Sequence, residues 1–225
     1  TIPANIFDLC VNATNFTSTF ESCTALTAIP AHLFDYNTKA TRFDSAFSTC
    51  TNAALTSIPA DLFKYNVLVT NFTSTFQGCN KVTTLGTGLF TTTASCTFAD
   101  IFYGCSALAT IPANIFDLCV NATSFASAFY GCIGLTAVPA NLFDYNTKVT
   151  TFNSTFRGCL NAAHTGPING DIFRYNVVAV IYGNCFYDNH HLTGHGWGDA
   201  TVPNTIMYWP SQPGHLPATS TAGCF

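Results

Sequence analysis

The residues able to do chemistry recur at fixed intervals. The chain has 225 residues and eleven cysteines, and six of these, Cys23, Cys50, Cys79, Cys105, Cys132 and Cys159, share one position of a repeated pattern. Cysteines so placed could form disulfides or hold metal. Equivalent side chains in successive repeats point the same way, however, which suits the disulfide torsion poorly. A column of small buried thiols packed against phenylalanine is the stronger reading. Cys10 and Cys119 stand where other repeats carry Asn37, Asn66, Asn146 and Asn176, and read as turn residues. Cys96, Cys185 and Cys224 lie outside both columns and are the candidates for a disulfide or a free thiol.

Asp188, His190, His191 and His195 could form a metal cluster. Gly194 and Gly196 break any helix that would present them, and no zinc-ligand spacing occurs, so loop or capping histidines are the stronger reading. Carboxylates form no catalytic pair. Asp8, Asp35, Asp117 and Asp144 each follow the Phe of I-P-A-x-L-F and mark a turn. Ser18, Ser45, Ser74, Ser127 and Ser154 also recur by repeat, so none stands out as a nucleophile. No phosphate loop, nucleophile elbow or dinucleotide fingerprint is present. A catalytic residue is unique to its site, and here the candidates are periodic. The sequence predicts no enzyme and no cofactor.

The composition agrees. Charged residues make up 8% of the chain and the formal net charge is −4, without runs of Lys or Arg. A neutral, hydroxyl-rich surface of this kind does not attract nucleic acid. No apolar run approaches the roughly 18 residues that suggest a membrane span. Five N-x-[ST] sequons, at Asn12, Asn15, Asn71, Asn121 and Asn153, are no more than this abundance of Asn, Ser and Thr would produce.

The elements that must position these residues are repeats. The pattern F-x-[ST]-x-F-x-x-C-x-x-L-x-x-I-P-x-x-L-F starts at Phe16, Phe43, Phe72, Phe98, Phe125 and Phe152, in steps of 27, 29, 26, 27 and 27. Thr1–Thr14 is repeated as Thr110–Thr123, an offset of 109, so a block of four repeats was duplicated. Phe43, Phe47 and Cys50 lie at i, i+4 and i+7, which predicts a short helical turn. Thr17, Asp44, Thr73 and Asn153 suit its N-cap. Pro30, Pro59, Pro112 and Pro139 suit the first turn after a short strand at Leu-Thr-x-Ile. A second short strand is expected at Val-Thr-x-Phe. No single coil can bury its own Phe, Leu and Ile, so stacked coils must share a core, with Phe20, Phe47, Phe76, Phe102, Phe129 and Phe156 in one buried column. The expected fold is an α/β repeat solenoid of about six coils of roughly 27 residues.

The spellings F-Y-G-C-S-A-L-A-T-I-P (Phe102–Pro112) and F-Y-G-C-I-G-L-T-A-V-P (Phe129–Pro139) resemble the BspA-like class of leucine-rich repeats over residues 1–192. The I-P-A-x-L-F-D-Y-N-T-K-V-T-x-F variant is similar to repeats of bacteriophage and prophage structural proteins and of bacterial surface proteins. The resemblance implies extracellular, cell-surface or virion display. It also implies adhesion to a protein or glycan on a cell surface, or a purely structural part in a phage tail, capsid decoration or extracellular fibre. A clean L-x-L strand is missing, so regular horseshoe curvature does not follow.

From about Thr193 the repeat stops. Residues 193–225 read as an irregular capping or assembly segment whose Trp197, Tyr208 and Trp209 are candidate binding residues. The chain opens on the second half of a repeat, which predicts self-association or a neighbouring structural subunit continuing the stack.

Overall fold

The computed structural model describes residues 1–159, 170–179, 181–187 and 189. Among the described residues each repeat contributes a coil that pairs in parallel with the next. Isolated bridges join Asn15 to Arg42, Arg42 to Asn71 and Asn71 to Thr97, and continue from Ser124 to Thr151 and from Thr151 to Ile181. Between them, β3 (Cys96–Thr97) pairs in parallel with β4 (Ala122–Ser124). At the Leu-Thr-x-Ile position, β1 (Ser57–Ile58) pairs in parallel with β2 (Thr84–Leu85). Both strand positions expected from sequence therefore carry pairing, in very short pieces.

The expected helical turns are not there. Among the described residues the only helical element is a 3-10 turn at Gly170–Phe173. The F-x-S-x-F-x-G-C run instead forms consecutive tight turns. Ala46, Ser48 and Cys50 donate their amides to the carbonyls of Phe43, Ser45 and Phe47, three residues back. The amides between them leave the coil. Phe43, Ser45, Phe47 and Thr49 donate to Asn71, Thr73, Thr75 and Gln77 of the next coil, at 2.6–3.0 Å. In a helix the amides beyond the first turn would bond carbonyls four residues back within the same coil, and would not reach the neighbouring coil. Sending alternate amides outward joins the coils while leaving no buried donor unpaired.

That geometry needs a left-handed residue at every fourth position. Ser45 and Thr49 have φ of 56° and 57°, and the equivalent Ser74 and Gly78 have 56° and 69°. Each is the third residue of its turn, where type II turns require positive φ. The recurrent Gly of F-x-G-C is there because glycine alone enters this region without penalty. The expected N-caps Thr17, Asp44, Thr73 and Asn153 are displaced too. The oxygens that cap are two residues earlier, with Asn15 Oδ1 and Asn71 Oδ1 each accepting the amide two residues on at 2.9 Å. Thr97, Ser124 and Thr151 do the same through their hydroxyls. A residue in a run of turns is capped by the side chain that opens the turn, as in Asx and Ser/Thr turns.

The core is three columns of aromatic rings. Phe7, Phe34, Phe63, Phe90, Phe116, Phe143 and Phe173 form the first. The second runs from Phe16 through Phe43, Phe72, Phe98, Phe125 and Phe152 to Tyr182. Phe20, Phe47, Phe76, Phe102, Phe129, Phe156 and Phe186 make the third. Successive rings in a column are nearly parallel, 5.2–6.2 Å apart. Between columns they meet edge to face, as Phe34 and Phe43 do at 4.7 Å. Both arrangements suit the ring quadrupole.

Buried asparagines tie the coils from inside. Asn66 Nδ2 donates to the carbonyls of Phe34 and Asn37, and Asn146 Nδ2 to those of Phe116 and Cys119, at 2.9–3.2 Å. Asn37 and Asn176 do the same in their coils.

Thr49 is a β-branched residue held at positive φ, where Gly78, Gly104, Gly131 and Gly158 serve other coils. Thr49→Gly is expected to raise stability by about 0.5–1 kcal/mol, since relief of the left-handed strain exceeds the added chain entropy. Urea unfolding of the two proteins measures this, and an unchanged or lower midpoint would argue against the turn geometry.

Candidate functional site

The repeated cysteines lie inside the stack. Cys50, Cys79, Cys105, Cys132 and Cys159 are fully buried, and Cys23 in the first coil is half-buried. The thiols of Cys50, Cys79, Cys105 and Cys132 donate to the carbonyls of Phe20, Phe47, Phe76 and Phe102, at 3.1–3.2 Å. Burial pushes the Cys50 thiol up to about 11, and the Cys79 and Cys119 thiols up to about 12. Cys105, Cys132 and Cys159 are raised for the same reason. Burial therefore disfavours the thiolate form on which nucleophilic and metal-binding cysteines depend.

Cys96, singled out by sequence as a disulfide candidate, is buried in β3 as a free thiol. Cys185 is buried beside the last described coil, at the position that Ala46, Thr75 and Ala128 fill elsewhere. Cys224 lies outside the described residues. So do Asp188, His190, His191 and His195, and the aromatic trio Trp197, Tyr208 and Trp209. Among the described residues no three His, Cys, Asp or Glu side chains gather as a metal site.

Asp117 and Asp144 occupy equivalent turns of adjacent coils. Burial, and then the charge of Asp144, raises the Asp117 carboxyl above the usual range. Arg174 of the next coil binds Asp144, so the pair is part of a charge ladder along the turn. A general acid–base pair would need two environments held apart around a shared substrate cleft, whereas Asp117 and Asp144 are half-buried equivalents at one turn position.

Two surface features that the sequence reading did not single out run along the stack. The first is the variable position of F-x-G-C. Tyr103 and Tyr130 stack face to face at 4.6 Å and 10°. In the next two coils the Arg157 guanidinium lies over the rings of both Tyr130, at 5.5 Å, and Tyr187, at 4.8 Å. Each side chain is fixed by its neighbours along the ladder, so little rotamer freedom remains to lose on binding. Aligning the repeats by column would have shown it, as Tyr, Tyr, Arg, Tyr at one position.

The second follows the Phe of the first ring column. Leu9, Val11, Tyr36, Tyr65, Val67 and Leu68 are all exposed there, Leu9 almost completely. Their counterparts Leu118, Val120, Tyr145, Tyr175, Val177 and Val178 are exposed in the second half of the stack. These twelve account for most of the large apolar side chains exposed among the described residues. Exposed apolar side chains gathered at equivalent positions mark candidate contact surfaces.

The raised thiols make stability depend on alkaline pH. A thiol whose folded pKa lies above its ordinary 9.0 stabilises the fold fully below pH 9, and that contribution is lost as pH rises toward the folded value. Urea midpoints are therefore expected to fall from about pH 9 upward, and a thiol reagent at neutral pH should spare Cys50, Cys79, Cys105, Cys132 and Cys159 until the chain unfolds. Labelling of these five in the folded protein would contradict the burial. Comparison with known proteins adds no relative: no protein-family model matches the chain, and no curated protein resembles it.

Proposed function

We propose that the chain is a repeat solenoid that works as a non-enzymatic recognition module, displayed outside the cell or on a virion, and that it binds a protein or glycan. The observation that carries this reading is the ladder of Tyr103, Tyr130, Arg157 and Tyr187. Tyrosine and arginine dominate binding hot spots, and here they are ordered in advance, one per coil. The low charge, the burial of the repeated thiols and the periodicity of the serines support a binding role over catalysis. The likeness of the repeats to the BspA-like class supports surface display.

A purely structural role, in a phage tail, a capsid decoration or an extracellular fibre, is the second reading. The apolar lane through Leu9, Tyr36 and Tyr65 favours it, because lateral contacts between subunits need such a surface.

Binding of the chain to intact bacterial cells and to arrayed glycans tests the first reading. Saturable binding is expected, with Tyr130→Ala and Arg157→Ala each weakening it roughly tenfold or more. No saturable signal on either target, or binding indifferent to both substitutions, would count against it.

A further inference from the structure

The apolar lane is the same surface twice. Leu9 corresponds to Leu118, Tyr36 to Tyr145 and Tyr65 to Tyr175, each 109 or 110 residues apart. Between the two patches the fourth coil has Thr91, Thr92 and Thr93, none of them large or apolar. Parallel coils are spaced by roughly 4.8 Å, so equivalent patch residues lie about 19 Å apart along the stack. A partner able to cover both patches must repeat with the same spacing.

Charge along the lane has a direction. In the first patch the residues before Leu9, Tyr36 and Tyr65 are Asp8, Asp35 and Lys64. In the second it is Asp117, then Asp144, then Arg174. Both patches therefore run from acidic to basic. Lys64 is about half exposed, and its nearest carboxylate, Asp61, is 3.7 Å away on the surface, a pairing too weak to engage it fully.

We propose that this lane pairs two copies of the chain side by side and antiparallel, about a two-fold axis through the fourth coil. The arrangement sets Leu9 of one copy near Tyr175 of the other, Tyr36 near Tyr145 and Tyr65 near Leu118. It sets Lys64 against Asp117, and brings Asp8 beside Arg174, whose guanidinium also holds Asp144 of its own chain. Asp35 would meet Asp144; Arg174 binds Asp144 within the chain, and Asp35 is hydrogen-bonded to the His32 ring. A parallel pairing would set each of these charges against itself. The second copy brings the matching coil spacing, the matching patches and the complementary charge order together, and a two-fold interface requires such self-complementarity. The pairing leaves the Tyr103–Tyr187 ladder, which follows a different ring column, out of the interface, so it stands apart from the proposed recognition role.

Analytical ultracentrifugation at micromolar concentration tests this with a charge swap. The chain of 24.1 kDa is expected to sediment as a dimer. Lys64→Asp should weaken the dimer by roughly tenfold, by facing Asp117 of the other copy with a like charge. The double variant K64D/D117K should restore it, which no other register of the lane predicts. Far-ultraviolet circular dichroism checks that each variant folds, and Tyr130→Ala should leave the dimer intact. A monomeric parent chain, a dimer indifferent to Lys64→Asp, or failure of a folded double variant to recover would each overturn the proposal.

Discussion

Everything in this molecule depends on where alternate backbone amides go. In the F-x-S-x-F-x-G-C run, half of them close turns within the coil and half reach the next coil. A buried amide left unpaired costs about as much as a lost hydrogen bond or more, so this division is obligatory once the coils stack. It sets the register, which in turn places every Phe on its equivalent in the neighbouring repeat. It also requires positive φ at two positions per run, which Ser, Asp, Asn, Thr and Gly share among the coils. The same constraint keeps the described stack free of α-helix, since a helix turns the amides beyond its first turn back onto its own carbonyls.

Register turns a sequence repeat into columns. Inside the stack the columns are phenylalanine rings, thiols and asparagine amides. Each column meets the next coil with the chemistry of the last, so identical residues suffice for complementarity. The 26-residue step is absorbed in the ladder itself, as a register shift between Cys96 and Thr97 where β3 meets β4. Close approach of coils also selects glycine: a β-carbon at Gly86 would lie 2.2 Å from the Ala60 nitrogen of the preceding coil. On the outside the same register turns variable positions into lanes, and function is to be sought in lanes, because a residue at a variable position is free to change without disturbing the ladder.

Much of this was legible in the sequence, and the failures are instructive. The repeat length, the shared Phe core and the buried position of the Cys column follow from pattern alone, because burial of Phe and Cys imposes periodicity. The turn conformation does not. Phe43, Phe47 and Cys50 at i, i+4 and i+7 fit a helix face, yet the same spacing arises from two successive four-residue turns. The discriminating signal was the Ser–Gly alternation, as in Ser74 and Gly78, which marks left-handed positions that a helix would not tolerate. Cys96 looked irregular because the short step before Phe98 shifts it off the column, and it is nonetheless buried in β3. The surface lanes were missed because each repeat was read along the chain, whereas a ladder such as Tyr103, Tyr130 and Arg157 exists only across it.

The central claim is the division of amides between coil and neighbour, and through-hydrogen-bond scalar couplings in nuclear magnetic resonance observe it directly. Couplings are expected from the amide nitrogens of Phe43, Ser45, Phe47 and Thr49 to the carbonyl carbons of Asn71, Thr73, Thr75 and Gln77. The nitrogens of Ala46, Ser48 and Cys50 should couple to carbonyls three residues back, at Phe43, Ser45 and Phe47. Couplings that instead connect each amide to the carbonyl four residues back, Phe47 to Phe43 among them, would show helical turns and contradict the account.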